Sequence, residues 1–208
     1  MNILNNIKNI IFDFGGVIIN IDYNLTVERL KKLGHNDFEY HYSQVKQSGL
    51  FDKLDTGNIS GDEFINELAS LFKTPPRKQD LINAWNTMLL DFPKERAELL
   101  KKLKTQYRTF LLSNTNEIHL NYYFKKLKEW YGVDNMSSFV HKEYYSCYLH
   151  MRKPDREIFE YVIRENNLNP DETLFIDDSA QHIEGAVKAG LRAFHIQKGK
   201  TILDIINT

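Results

Sequence analysis

Four short stretches carry residue types that suit chemistry at a phosphorus centre. Asp13 ends the apolar run Ile10-Ile11-Phe12, and Ser113 and Asn114 end a second apolar segment. Lys153 stands just before Pro154 and Asp155, and Asp177 and Asp178 close a third apolar segment. Carboxylates without a His or Cys cluster form a hard-oxygen donor set, which favours magnesium over zinc. A lysine and a serine hydroxyl suit phosphate oxygens. A carboxylate beside a metal can attack phosphorus and form an aspartyl-phosphate. Metal and lysine would then neutralise the charge of the transferring group. Plainer roles stand beside these. Asp13 reads also as a loop residue, Ser113 as a helix cap, Lys153 as a solvated charge and Asp177-Asp178 as a capping pair before Ser179.

These residues matter only if the chain brings them together. The continuous apolar run at 10–12 predicts a strand buried on both faces, as in a parallel sheet. Further strands are expected at 107–112, 144–147, 173–176 and 192–196. Helices are expected at 95–104, from 117 to near Gly132, at 155–166 and at 179–189. Strands alternating with helices predict an α/β, doubly wound, Rossmann-like and mainly parallel sheet. Ligands bind such sheets at the carboxyl ends of the strands, where Asp13, Ser113 and Asp177-Asp178 would all lie. Between residues 20 and 91 the pattern is helical instead. Val27, Leu30 and Leu33 have helical spacing before Gly34, and Ser60 to Glu63 is a capping-box pattern. The expected organisation is a core of 1–19 and 92–208 with an all-helical cap inserted at 20–91.

Composition narrows the classes. The chain has 208 residues, a formal net charge of −1 and 42% hydrophobic residues. That supports a sizeable core and gives no global pull toward nucleic acid or an anionic membrane. The single cysteine, Cys147, excludes an intramolecular disulfide and reads as a small, semi-buried strand residue. No apolar stretch is long enough to span a bilayer, and the first residues lack a signal-peptide layout. A cytoplasmic protein is the expectation. Oligomeric state is not legible.

The segments IIFDFGGVI, FLLSNTN, RKPDREIF and LFIDDSAQHIEGA resemble the four ordered motifs of haloacid-dehalogenase-like hydrolases. The resemblance covers essentially the whole chain apart from the insertion. It implies a magnesium-dependent phosphatase for a small phosphomonoester. Asp13 would be nucleophile and metal ligand. Ser113, with backbone or side chain of Asn114, would hold phosphate, and Lys153 would bridge nucleophile and phosphate. Asp178 would bind magnesium, with Asp177 as a direct or water-mediated ligand and the Gly15 backbone carbonyl completing the protein donors. Most phosphatases of the superfamily carry an acid two residues after the nucleophile, where this chain has Gly15. Such general acid–base help is worth ~10²–10⁴-fold in rate. A bacterial subgroup with an Asp-x-Gly-x-Val motif, including glucose-1-phosphate phosphatases, shares that glycine. Sugar-1-phosphate chemistry is therefore one expectation. A metal-independent dehalogenase and a non-catalytic phosphate-binding regulatory module are the alternatives. Asp22 is expected to cap or hinge, His182 to face the cleft and His119 to lie on a helix surface. Trp85, Tyr42 and Phe51 are expected in the core of the insertion.

Overall fold

The computed structural model describes residues 3–34 and 49–206. Tyr42 lies outside them. Five strands, β1 (Asn9–Phe12), β2 (Arg108–Ser113), β3 (Lys142–Tyr145), β4 (Thr173–Asp177) and β5 (Arg192–His195), form one sheet in the order β3-β2-β1-β4-β5. Every neighbouring pair is parallel. The chain builds outward from β1 to β3, then crosses to the other side of β1 for β4 and β5. The direction of winding therefore reverses beside β1, and a crevice opens at the carboxyl ends there.

β1 is buried along its whole length, because both faces of the sheet are covered. Its alternate residues serve opposite cores: Ile10 and Phe12 join one apolar cluster, while Ile11 joins the other. The first cluster receives Leu100 and Leu103 from α5 (Lys94–Lys104) and Leu120, Tyr123 and Leu127 from α6 (Glu117–Tyr131). The second receives Ile158, Phe159 and Val162 from α8 (Arg156–Glu165) and Ala186 from α9 (Ala180–Lys188). Gly132 ends α6 in the left-handed conformation, as helix-terminating glycines do.

The third strand lies earlier than its apolar residues suggest. β3 ends at Tyr145, and Cys147 sits buried in the short helix α7 (Ser146–Leu149). Polar Lys142 and Glu143 take strand pairing opposite Phe110 and Leu111. β3 is an edge strand, so its outer residues need not be apolar.

Among the described residues, 20–91 contains four helices: α1 (Tyr23–Lys32), α2 (Leu50–Asp55), α3 (Gly61–Ser70) and α4 (Lys78–Asn86). α3 opens on the Ser60–Glu63 capping box, with both reciprocal bonds formed. Their apolar faces make a third cluster around Leu30, Phe64, Leu68, Leu81 and Trp85. Exit and return of the chain are paired: Asn20 N–H donates to Asp91 O at 2.9 Å and Leu90 N–H to Asn20 O at 3.0 Å. Asp22 caps α1, its carboxylate accepting from Asn24 N–H at 3.0 Å.

These helices dock on the first turn of α6. Ile118 joins their apolar cluster, Glu117 accepts from Gly61 N–H, Asn116 bonds Asp55 and His119 bonds Asn86. On the other side Arg152 pairs with Asp52, and His150 Nδ1 lies 2.8 Å from Thr56 O.

Candidate active site

At the winding reversal the carboxyl ends of β1 and β4 lie side by side, and Asp13 N–H donates to Ile176 O at 2.9 Å. Asp13, Asp177 and Asp178 each offer an oxygen, and these atoms lie within 4.8 Å of one another. Lys153 enters from the loop before α8. Its ammonium lies 2.5 Å from Asp13 Oδ1 and 2.8 Å from Asp177 Oδ2. Lys153 and Asp177 are both 0% exposed, so the reading of Lys153 as a solvated charge fails. A charge that is fully buried persists only when paired, and here each pairs with the other.

The acids differ in electrostatics. Burial, with the nearby Asp177 charge, pushes Asp13 up to about 7 against the opposing pull of Lys153. Burial also acts to raise Asp177, but Lys153 and His182 outweigh it and bring it down to about 2. His182 Nδ1 lies 2.9 Å from Asp177 Oδ2. Asp177 Oδ1 also accepts from Ser179 N–H at 2.7 Å, so it does cap the turn into α9. Asp178 is raised by burial and by the Asp177 charge. Three crowded carboxylates against one lysine leave negative charge in excess. A divalent cation held by oxygen donors would relieve that excess, so the residues fit such a group.

Glycines let the backbone close around this cluster. Gly16 has φ +77°, and a Cβ there would sit 2.1 Å from Asp178 Oδ2. A Cβ on Gly15 would sit 2.1 Å from Ile21 Cδ1. The space an acidic side chain would need at Gly15 is filled by Ile21.

Ser113 is buried at the end of β2, and among the described residues its hydroxyl has only a 3.5 Å contact with Asn114 O. It does not cap α6; Asn116 does, accepting from His119 N–H at 3.1 Å. The Asn114 side chain is committed elsewhere. Its Oδ1 accepts from Lys153 N–H at 2.9 Å and its Nδ2 donates to Lys153 O at 2.8 Å. It clamps the lysine loop, which leaves its backbone for any anion.

A cavity of about 300 Å³ opens on this cluster, at the lower end of small-molecule sites. Asp13, Gly15, Ser113, Asn114, Asp178 and His182 line its floor. Phe51, Asp55 and Trp85 from the inserted helices, and Met88 just after them, line part of its wall. Trp85 thus belongs both to the core of the insertion, as expected, and to the cavity wall. His119 corrects the expectation of a surface position. It is buried, stacks on Trp85 with ring centroids 5.5 Å apart and bonds Asn86 Oδ1 at 2.9 Å. Burial holds its imidazole neutral, down to about 3. Asp55 and Asn116 are wall residues that motif reading misses. Asn116 carried a signal, an Asn directly before a helix; Asp55 carried none.

The haloacid dehalogenase-like hydrolase family model matches residues 7–190. The chain is 32% identical over 193 residues to a D-ribitol-5-phosphate phosphatase of Bacteroides thetaiotaomicron, covering 93% of each protein. It is 25% identical to a sesquiterpene phosphatase of Aspergillus oryzae, covering 91% of this chain and 89% of that one. A Bacteroides thetaiotaomicron enzyme of the family, solved with magnesium and inorganic phosphate, superposes with a TM-score of 0.88 at 31% identity, over 97% of this chain and 100% of that chain. A family hydrolase of Porphyromonas gingivalis gives 0.82 at 31% identity, over 93% of both. A dehalogenase gives 0.61 at 18% identity and shares the fold. The four sequence motifs, the parallel sheet and these matches lead to one assignment: the chain belongs to the haloacid dehalogenase-like hydrolases.

Proposed function

We propose that the protein is a magnesium-dependent phosphatase that hydrolyses a small, hydroxyl-bearing phosphomonoester through an aspartyl-phosphate on Asp13. The observation that carries this is the Asp13, Asp177 and Asp178 cluster within 4.8 Å, joined by buried Lys153, on the floor of the cavity. Phosphatase activity and magnesium also fit the relatives, two of which are named phosphatases and one of which was solved with magnesium and phosphate.

In this reading Asp13 attacks phosphorus and the ester oxygen departs. Water then cleaves the acyl phosphate and restores the carboxylate. Lys153 holds Asp13 in place and offers positive charge to the transferring oxygens. Ser113 and the Asn114 backbone bind a phosphate oxygen. Asp178, Asp13 and the Gly15 carbonyl hold the cation, with Asp177 orienting Lys153 and completing the charge. Magnesium, when bound, supplies charge neutralisation at the transferring phosphoryl group. Residues 20–91 act as a cap over a core of 1–19 and 92–208, excluding water and selecting the alcohol.

The expected anomeric sugar 1-phosphate loses ground. The ribitol-5-phosphate relative is named for the phosphate of a primary alcohol, so sugar-alcohol and sugar phosphates become the favoured class. A panel of phosphomonoesters, assayed with and without magnesium, tests the proposal. Expected are turnover only with magnesium and loss of at least about 10³-fold in Asp13→Asn. Turnover in EDTA, or an Asp13→Asn protein as active as its parent, would refute it.

A further inference from the structure

Asp55 is the last residue of α2 and faces the cavity from the inserted helices. The helix does not favour a charge at that position. A carboxylate at a helix C-terminus meets the negative end of the backbone dipoles. Among the described residues no cation pairs with it, and one hydrogen bond reaches it, from Asn116 Nδ2 to Oδ1 at 3.2 Å. Burial raises its carboxyl to about 6, partly opposed by that bond. A carboxyl without a counter-charge is costly to bury. Acids in that condition inside a cleft are candidates for ligand contact.

Its placement is nonetheless tightly set. Asn116 is fixed by its own cap bond to His119 N–H and holds Oδ1. Directly after Asp55, Thr56 O meets His150 Nδ1 at 2.8 Å. Gly57, at φ +66°, lies so close to Cys147 O that a Cβ would stand 2.2 Å from it. These contacts pin the end of α2 to the core, and among the described residues Asp55 keeps one oxygen without a partner.

Phe51, Trp85, Met88 and Tyr123 also line this cavity and carry no charge. A second phosphate would be repelled by Asp55, whereas a hydroxyl donates to a carboxylate.

We propose that Asp55, oriented by Asn116, is a specificity-determining residue that accepts hydrogen bonds from hydroxyls of a polyol phosphate whose phosphate sits at Asp13. This rests on the phosphatase reading above and deepens it.

The test compares ribitol 5-phosphate, butyl phosphate and phosphoethanolamine on parent, Asp55→Asn and Asp55→Ala proteins. Asn keeps the volume and the oxygen that Asn116 bonds, so the fold survives. Loss of a hydrogen bond to a charged acceptor predicts that the ratio of kcat/KM for ribitol 5-phosphate to that for butyl phosphate falls about 10- to 100-fold, chiefly through KM. An unchanged ratio overturns the assignment. So does an equal loss of kcat on every ester, which marks a role in proton transfer or in structure. A parent preference for phosphoethanolamine that vanishes in Asp55→Asn also overturns it, since the partner is then a cation. Calorimetric binding of the first two esters to Asp13→Asn protein, with and without Asp55→Asn, separates the two proposals. Failure of turnover in the parent sinks the phosphatase reading, whereas equal affinity of the Asp13→Asn protein for both esters sinks the Asp55 assignment.

Discussion

Replacing His119 by Gln should flatten the acid side of the stability profile. The imidazole is buried against Trp85 and Asn86, and burial holds it down to about 3 against an ordinary value of 6.5. A histidine held low contributes stability that is complete above its unfolded value and is lost as pH falls toward the folded one. Between about pH 7.5 and about pH 5 the unfolded chain gains nearly a full proton at this position and the folded chain almost none. The linked loss is about 2 kcal/mol. Urea denaturation of parent and His119→Gln proteins at both pH values, in magnesium-free buffer, isolates it. Omitting the metal keeps proton-coupled cation binding at the acids out of the comparison. The parent should lose about 2 kcal/mol more than the variant on acidification. Absolute stabilities will differ, because Gln cannot restore the stack, but the difference between the two slopes is the readout. Slopes that coincide within about 0.5 kcal/mol would mean the imidazole is not buried in solution, and the docking of the inserted helices on α6 would be wrong.

Two further outcomes follow from the same geometry. Asp55, raised to about 6 from 3.8, contributes stability below its unfolded value that is lost as pH rises through the folded one. Asp55→Asn should therefore be about 2 to 3 kcal/mol more stable than the parent near about pH 8 by thermal or urea unfolding; a less stable variant contradicts the burial argument. Gly16→Ala should cost about 1–2 kcal/mol for the positive φ alone and should weaken magnesium binding by at least about tenfold by displacing Asp178. Calorimetric titration giving the parent's affinity would show that Asp178 does not need the present backbone approach.

The acids of the site were legible because each ends an apolar run. Ile10 to Phe12 and Leu174 to Ile176 had to be buried strands, and parallel strands expose their carboxyl ends at one edge. The type of Lys153 was legible but its complete burial was not, because that depends on Asp13 and Asp177 arriving from strands 140 and 24 residues away. His119 was misplaced for a related reason. The periodicity of α6 shows the stripe Leu120, Tyr123 and Leu127 that faces the sheet. The second buried face, with Ile118 and His119, exists only because other helices dock there. Asp55 gave no local signal at all, since nothing in the order of residues around it says which way the end of α2 points. The sequence places β3 too late because its first residues are charged and its last apolar neighbours belong to a helical turn.

The backbone bonds joining Asn20 with Leu90 and Asp91 make the two connections of the insertion a single narrow ribbon. A ribbon of that kind bends across its flat face but resists sliding and twisting apart. Any swing of the helices above the cavity would turn about that ribbon, like a door on one jamb. Such a swing would part the Asn116–Asp55, Asn86–His119 and Glu117–Gly61 contacts together, along with Arg152–Asp52 and His150–Thr56. The latch and the hinge stand at separate places in the chain, so each can be altered by mutation without rebuilding the other.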